Sequence, residues 1–278
     1  MRISKIKRKR GRPGVGVKKM IRSFFGLDCN PFDESNISLL PHQSEIYDTL
    51  KVHSQQGGLC LVLGVPGTGK SVIKEYIKNE AGKEQVVVSV ARTMHTYTNT
   101  IKILCEAFNI DEGGTHFKCE RRLIDEAVNL NRLGKSLITI IDDAHLLEMT
   151  TLRRLRLLFE DFPKNHNLIL IGQPPLLDNL SLSVNEDIKS RVTYSAITRR
   201  LNEDDVKAFI SGQLDCVVLG HNTFSEAAID LITRTADGVI RKAKNLCRAC
   251  LLEAVRKRTK QIDIDIVNEV IIQPHWRK

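Results

Sequence analysis

Eight consecutive residues, Gly64-Val65-Pro66-Gly67-Thr68-Gly69-Lys70-Ser71, carry the densest chemistry in the chain. They follow the apolar run Leu59–Leu63 and precede a helical pattern through Ile73 and Ile77. Strand, glycine loop and helix in that order make a phosphate cradle. The glycines let backbone N–H groups wrap an anion, and the helix start adds its positive end. In this pattern Lys70 reaches the β- and γ-phosphates of a nucleotide, and the Ser71 hydroxyl takes a Mg²⁺ position. Gly64 to Ser71, with Val72 in the first helical turn, are the expected nucleotide-binding residues.

A second acidic element completes such a site. Leu137-Ile138-Thr139-Ile140-Ile141 reads as a buried strand, and it runs directly into Asp142-Asp143. Two carboxylates at the C-terminal end of a parallel strand fall where α/β proteins bind ligands. Asp142 is the expected Mg²⁺ residue, directly or through water, and Asp143 the one that polarises an attacking water.

These residues need a sheet to hold them. Buried runs at Leu59–Leu63, Val86–Ala91, Leu137–Ile141 and Leu168–Ile171, with a weaker one at Thr193–Ile197, alternate with helical spacings. The helical stretches run from about His42 to Val52, through Ile101, Leu104 and Phe108, and from about Glu120 to Leu133. The pattern predicts an α/β fold with a mostly parallel five-stranded sheet covered on both faces. After Thr198 strand signals cease. Asn202 and Ser225 read as helix N-caps, and helices are expected from about Arg241 to Arg258 and again after Asp263, forming a small all-helical lid. The expected division is a basic arm over 1–22, a nucleotide-binding domain over 23–197 and the lid over 198–278.

Charge is placed unevenly. Of the 42 Lys and Arg, ten fall in residues 1–22 with no acid among them, leaving 32 against 33 Asp and Glu in the remainder. So concentrated a block reads as a solvated arm. Seven scattered cysteines do not suggest a disulfide framework, and Cys247 and Cys250, a lone CxxC in a helical pattern, read as small buried residues. No apolar stretch approaches the ~20 residues of a membrane span, and the N-terminus lacks a signal-peptide core. Both features predict a cytoplasmic protein without membrane contact.

The glycine loop together with Ile141-Asp142-Asp143-Ala144-His145 resembles the AAA+ superfamily. Further matches resemble its ExeA-like branch and the related transposition ATPases of the TnsC, MuB, IstB and TniB types. They are Phe24-Phe25-Gly26-Leu27 with Asn30-Pro31-Phe32, Leu170-Ile171-Gly172-Gln173-Pro174, and Gly238-Val239-Ile240-Arg241 leading to Asn245-Leu246-Cys247. The resemblance spans roughly residues 23–272. It implies ATP and Mg²⁺ as cofactors, Gln173 as a sensor of the γ-phosphate and Arg241 as a lid arginine on the nucleotide. It also implies Arg191 as a finger reaching a neighbouring subunit's phosphate, with Lys189, Arg199 and Arg200 as rivals, and hence a ring or helical filament. Asp143 stands where the family more often has glutamate, so slow hydrolysis is expected. Gly-Val-Ile-Arg replaces the usual Gly-x-Pro-Arg but keeps the arginine.

Arg10-Gly11-Arg12-Pro13, within Lys7-Arg8-Lys9-Arg10-Gly11-Arg12-Pro13-Gly14, resembles the core of an AT-hook, in which an extended Arg-Gly-Arg enters a narrow A·T minor groove. Arg8, Lys9, Arg10, Gly11, Arg12 and Pro13 are therefore the expected contacts to duplex DNA. Two further basic groups, Arg153, Arg154, Arg156 and Arg241, Lys242, Lys244, Arg248, Arg256, Lys257, Arg258, are either solvated helix faces or the inner wall of an assembly around DNA. Three functions stay open. The favoured one is a DNA-bound regulator that licenses target DNA for a transposase, with a target-selector protein as a further partner. The alternatives are an ExeA-like ATPase of secretion or envelope machinery, which usually adds a membrane segment and a cell-wall-binding region, and a helicase-loader-like ATPase.

Overall fold

The computed structural model describes residues 15–32, 39–90 and 96–272. The chain divides into two compact units, one drawn from residues 37–199 and the other from 1–36 with 200–278.

In the first unit five strands, β1 (Gly58–Gly64), β2 (Gln85–Val90), β3 (Ser136–Ile141), β4 (Asn167–Gly172) and β5 (Val192–Thr198), form one sheet in the order β2-β3-β4-β1-β5. Every neighbouring pair is parallel. The period of two in a strand separates the apolar side chains onto opposite faces. Leu59, Leu61, Leu63, Leu137, Ile141, Leu168 and Leu170 enter one core, while Cys60, Val62, Ile138, Ile140, Ile169 and Ile171 enter the other. That is why these strands read as unbroken apolar runs: both faces are covered, as in parallel sheets generally.

Preceding the sheet is a helix of the other unit, α1 (Val15–Phe25), and then α2 (Pro41–Gln56). Among the strands come α3 (Lys70–Asn79), α4 (Tyr97–Ala107), α5 (His116–Arg132), α6 (Met149–Glu160), α7 (Pro175–Ser181) and α8 (Glu186–Lys189). Ile46, Leu50, Ile73 and Ile77 from α2 and α3 cover one face. Ile101, Leu104, Leu123, Leu152 and Leu155 from α4, α5 and α6 cover the other. The three-to-four-residue spacing of each set is what gives these helices an apolar side.

The second unit is helical: α9 (Glu203–Asp215), α10 (Glu226–Ala236), α11 (Ile240–Lys257) and α12 (Ile264–Ile272). Both expected caps are made. The Asn202 side chain accepts the Asp205 N–H at 2.6 Å, and the Ser225 hydroxyl oxygen accepts the Ala228 N–H at 3.2 Å. Each bond satisfies one of the amides that a helix start leaves unpaired.

One expectation is corrected here. Residues 15–22, read as part of the solvated arm, belong to α1, which buries Ile21 and packs against α11. Ile21, Phe24 and Phe25 share a helical face, a signal that the surrounding Lys18, Lys19 and Arg22 mask in a charge count. The expected DNA contacts Arg8, Lys9, Arg10, Gly11, Arg12 and Pro13 lie outside the described residues.

Candidate functional site

Because all five strands run the same way, their C-terminal ends share one edge. There β1 passes into the glycine loop, β3 into Asp142-Asp143 and β4 into Gln173.

The loop between β1 and α3 turns on two left-handed glycines. Gly67 and Gly69 hold φ of 87° and 96°, values a side chain would strain. Gly69 is the N-cap of α3, and no side chain caps that helix start. The Val72 N–H turns in to the Gly69 carbonyl at 2.9 Å, and a helix start without a side-chain cap is a place where an anion can dock. Inside the loop, the buried Thr68 hydroxyl lies 2.9 Å from the Val65 carbonyl and 2.7 Å from the hydroxyl of Thr198, which is 3.1 Å from the Leu63 carbonyl. The Gln43 amide supports the same turn at the Thr68 carbonyl, 3.4 Å away. Lys70 folds back over the loop and donates to the Gly64 and Val65 carbonyls at 2.6 and 3.0 Å. Ser71 is exposed and Val72 half-buried beside it.

At the acidic end, the Asp142 N–H donates to the Val90 carbonyl at 2.9 Å, extending the β2–β3 ladder by one residue. Both of its carboxylate oxygens are engaged. Oδ1 accepts the Asp143 N–H at 2.9 Å, and Oδ2 accepts from the Lys74 ammonium at 2.7 Å. Asp143 has left-handed backbone, φ 54° and ψ 33°, and an exposed side chain. Aspartate tolerates that region better than most residues, yet it is a strained conformation of the kind that persists at sites of function.

Gln173 touches the next turn of the β3 edge. Its Nε2 is 2.7 Å from His145 Nε2, while the buried His145 Nδ1 has no hydrogen-bond partner. Arg191 is exposed between α8 and β5, 3.3 Å from Glu160, which also pairs with Arg156 at 2.7 Å. Of its rivals, Lys189 pairs with Glu186 at 3.3 Å and Arg200 with Asp237. Arg241 belongs to the other unit, exposed in the first turn of α11.

The two basic groups differ. Those of α6 are engaged within the fold: Arg153 binds Asp187 at 2.9 Å, Arg156 binds Glu160, and Arg154 lies 3.8 Å above the Tyr97 ring. Asp187 is held below the usual carboxylate range by that Arg153 bond. On α11, Arg256 and Lys257 pair with Glu253 and Glu269. Arg241 and Lys242 instead stand exposed at the helix start, with no acid in that turn. Cations are disfavoured at that end of a helix dipole, so this turn breaks a local rule in the way anion-binding turns do. Cys247 and Cys250 are buried in the same helix, and desolvation pushes the Cys250 thiol up to about 12.

Three residues of this site were not singled out in the sequence: Lys74, His145 and Thr198. Lys74 had a signal, since it lies four residues after Lys70 and so on the same face of α3. His145 sits in the motif that carries Asp142. Thr198 had none, being brought to Thr68 only by the pairing of β5 with β1.

A family model described as AAA domain matches residues 52–180. General secretion pathway protein A of Aeromonas hydrophila is 24% identical over 253 residues, covering 87% of this chain and 46% of that protein. The chain thus spans about half the length of this relative. Among solved structures, the Aeropyrum pernix ORC2 protein in its ADPNP-ADP complexes superposes with a TM-score of 0.72 at 14% identity, over 87% of this chain and 71% of that one. The Aeropyrum pernix ORC1 protein in complex with DNA gives 0.69 at 17% identity, over 87% and 68%. The fold is therefore the P-loop AAA+ fold: a five-stranded parallel sheet with flanking helices, and a helical C-terminal region. Among the described residues no helix is long and apolar enough to cross a membrane.

Proposed function

We propose that the chain binds ATP with Mg²⁺, hydrolyses it slowly, and uses the cycle to assemble on duplex DNA as a regulator that licenses a target for a transposase. The observation that carries the nucleotide part is the uncapped start of α3 beside Lys70, joined through Lys74 to Asp142. These residues fit the group: left-handed glycines, uncapped amides, an ammonium, a hydroxyl and a carboxylate along one edge. Lys70 would neutralise the β- and γ-phosphates, while Ser71 and Asp142 would hold Mg²⁺. Mg²⁺ would in turn draw charge from the transferring phosphoryl group. Asp143 would orient a water for attack, its short side chain accounting for a slow step. Gln173 would read the γ-phosphate, Arg241 would close from a lid over 198–278, and Arg191 would complete the site of a neighbouring subunit in a ring or filament.

The DNA part rests on the basic N-terminal residues and on the exposed Lys242 at the start of α11. The relative from Aeromonas hydrophila favours a second reading, an ATPase of secretion machinery. Titration of the purified protein with a fluorescent ATP analogue, followed by hydrolysis assays with and without duplex DNA, separates them. Lys70→Ala should weaken nucleotide binding at least about a hundredfold, the loss expected of a cation bonded to two phosphates. Wild-type affinity in that variant would sink the nucleotide assignment. Hydrolysis indifferent to DNA, with no complex formed, would favour the secretion reading.

A further inference from the structure

The Lys74–Asp142 contact ties the two halves of the proposed site together, yet it places a cation on the very carboxylate proposed to hold Mg²⁺. Lys74 is buried on α3 and Asp142 lies at the end of β3, 68 residues away in sequence. Side-chain exposures of 11% and 15% make this a largely desolvated ion pair at 2.7 Å. The second carboxylate oxygen is engaged by the Asp143 N–H, so the group expected to meet a divalent cation is already neutralised by the chain itself. Glu75 is the other acid near Lys74, at 3.8 Å, so Asp142 is the closer partner by more than an ångström.

Two ammonium groups one helical turn apart thus serve the same edge, Lys70 over the loop and Lys74 on the carboxylate. We infer that Lys74 is a resident counter-ion that competes with Mg²⁺ for Asp142. It is a positioning residue that makes nucleotide binding less dependent on the metal. The inference rests on the reading of Asp142 as the Mg²⁺ residue. The charge argument is direct. A metal approaching Asp142 either displaces a desolvated ammonium or sits beside it, and both oppose a divalent ion. While the metal is absent, the same ammonium keeps the carboxylate from repelling the phosphates.

The test is a Mg²⁺ titration of fluorescent ATP-analogue binding in wild type, Lys74→Met, Lys74→Gln and Asp142→Asn, with circular dichroism to verify folding. Removing one unit charge in contact with the carboxylate should lower the Mg²⁺ concentration at half-saturation by about tenfold or more in Lys74→Met. In excess chelator the same variant should bind the analogue several-fold more weakly than wild type. Lys74→Gln keeps a hydrogen bond to Asp142 and should show the same shift should the methionine variant fail to fold. A second readout uses Mg²⁺ alone: the melting temperature should rise with millimolar Mg²⁺ in the Lys74 variants and stay flat in wild type. If folded Lys74 variants keep the wild-type Mg²⁺ dependence while Asp142→Asn changes it, the inference is overturned and the site reading stands. If Asp142→Asn leaves the dependence unchanged, or wild type binds no nucleotide at any Mg²⁺ concentration, the site reading itself fails.

Discussion

His166 offers a quantitative check on the packing that holds the acidic edge. Its ring is buried in a triangle with Phe159 and Phe162, at centroid distances of 5.0 and 4.9 Å, and its Nε2 lies 2.9 Å from the Thr139 hydroxyl of β3. Burial pushes the imidazole from its ordinary 6.5 down to about 3. The folded protein therefore refuses a proton that the unfolded chain accepts. Stability from this group is complete above pH 6.5 and is lost progressively as pH falls toward 3. Between pH 7.5 and 5.0 the unfolded histidine gains its proton over about 1.5 pH units. At ~1.4 kcal/mol per unit, the loss is about 2 kcal/mol. Urea melts of wild type and His166→Gln at the two pH values measure it. Glutamine can still meet Thr139 but does not titrate, so the variant should lose about 2 kcal/mol less than wild type over the interval. Equal losses would refute the idea that the ring is held neutral by burial.

Two further outcomes concern the proposed assembly. Arg191→Ala should leave nucleotide binding intact and lower hydrolysis about a thousandfold, as loss of a trans arginine does, and the effect should appear only under conditions where sedimentation shows oligomers. A monomer with undiminished hydrolysis would remove Arg191 from the mechanism. Deleting residues 1–14, which stops short of α1, removes seven Lys and Arg. If half of these neutralise phosphates, the slope of log affinity against log salt on duplex DNA should flatten by about 3, with nucleotide affinity unchanged; an unaltered slope would detach these residues from DNA.

Features confined to a short stretch of chain are legible without the fold. The phosphate loop is eight contiguous residues between a strand and a helix, so its chemistry and its geometry are written in one place. The strands announced themselves because burial on both faces demands apolar side chains at every position. Asn202 and Ser225 announced helix starts because a cap bond spans only three residues. The helix at Val15–Phe25 escaped because the buried Ile21 and the half-buried Phe24 and Phe25 are diluted by basic neighbours in sequence.

Contacts between distant segments were beyond that reading. Lys74 meets Asp142, His145 meets Gln173, and Thr68 meets Thr198 only because of the strand order, with β4 inserted between β1 and β3 and with β5 added outside β1. Periodicity states that a strand is buried but not which strand lies beside it, since any two parallel apolar strands satisfy each other's backbone equally well. The same limit applied to charge. Arg153, Arg154 and Arg156 looked like the basic group of α11 until folding brought Asp187, Glu160 and the Tyr97 ring to them. The sequence by itself determined that this chain has a glycine loop and an acidic strand end on a parallel sheet. Tertiary structure alone decided that the acid is already paired with a lysine, because that pairing depends on which elements the sheet sets side by side.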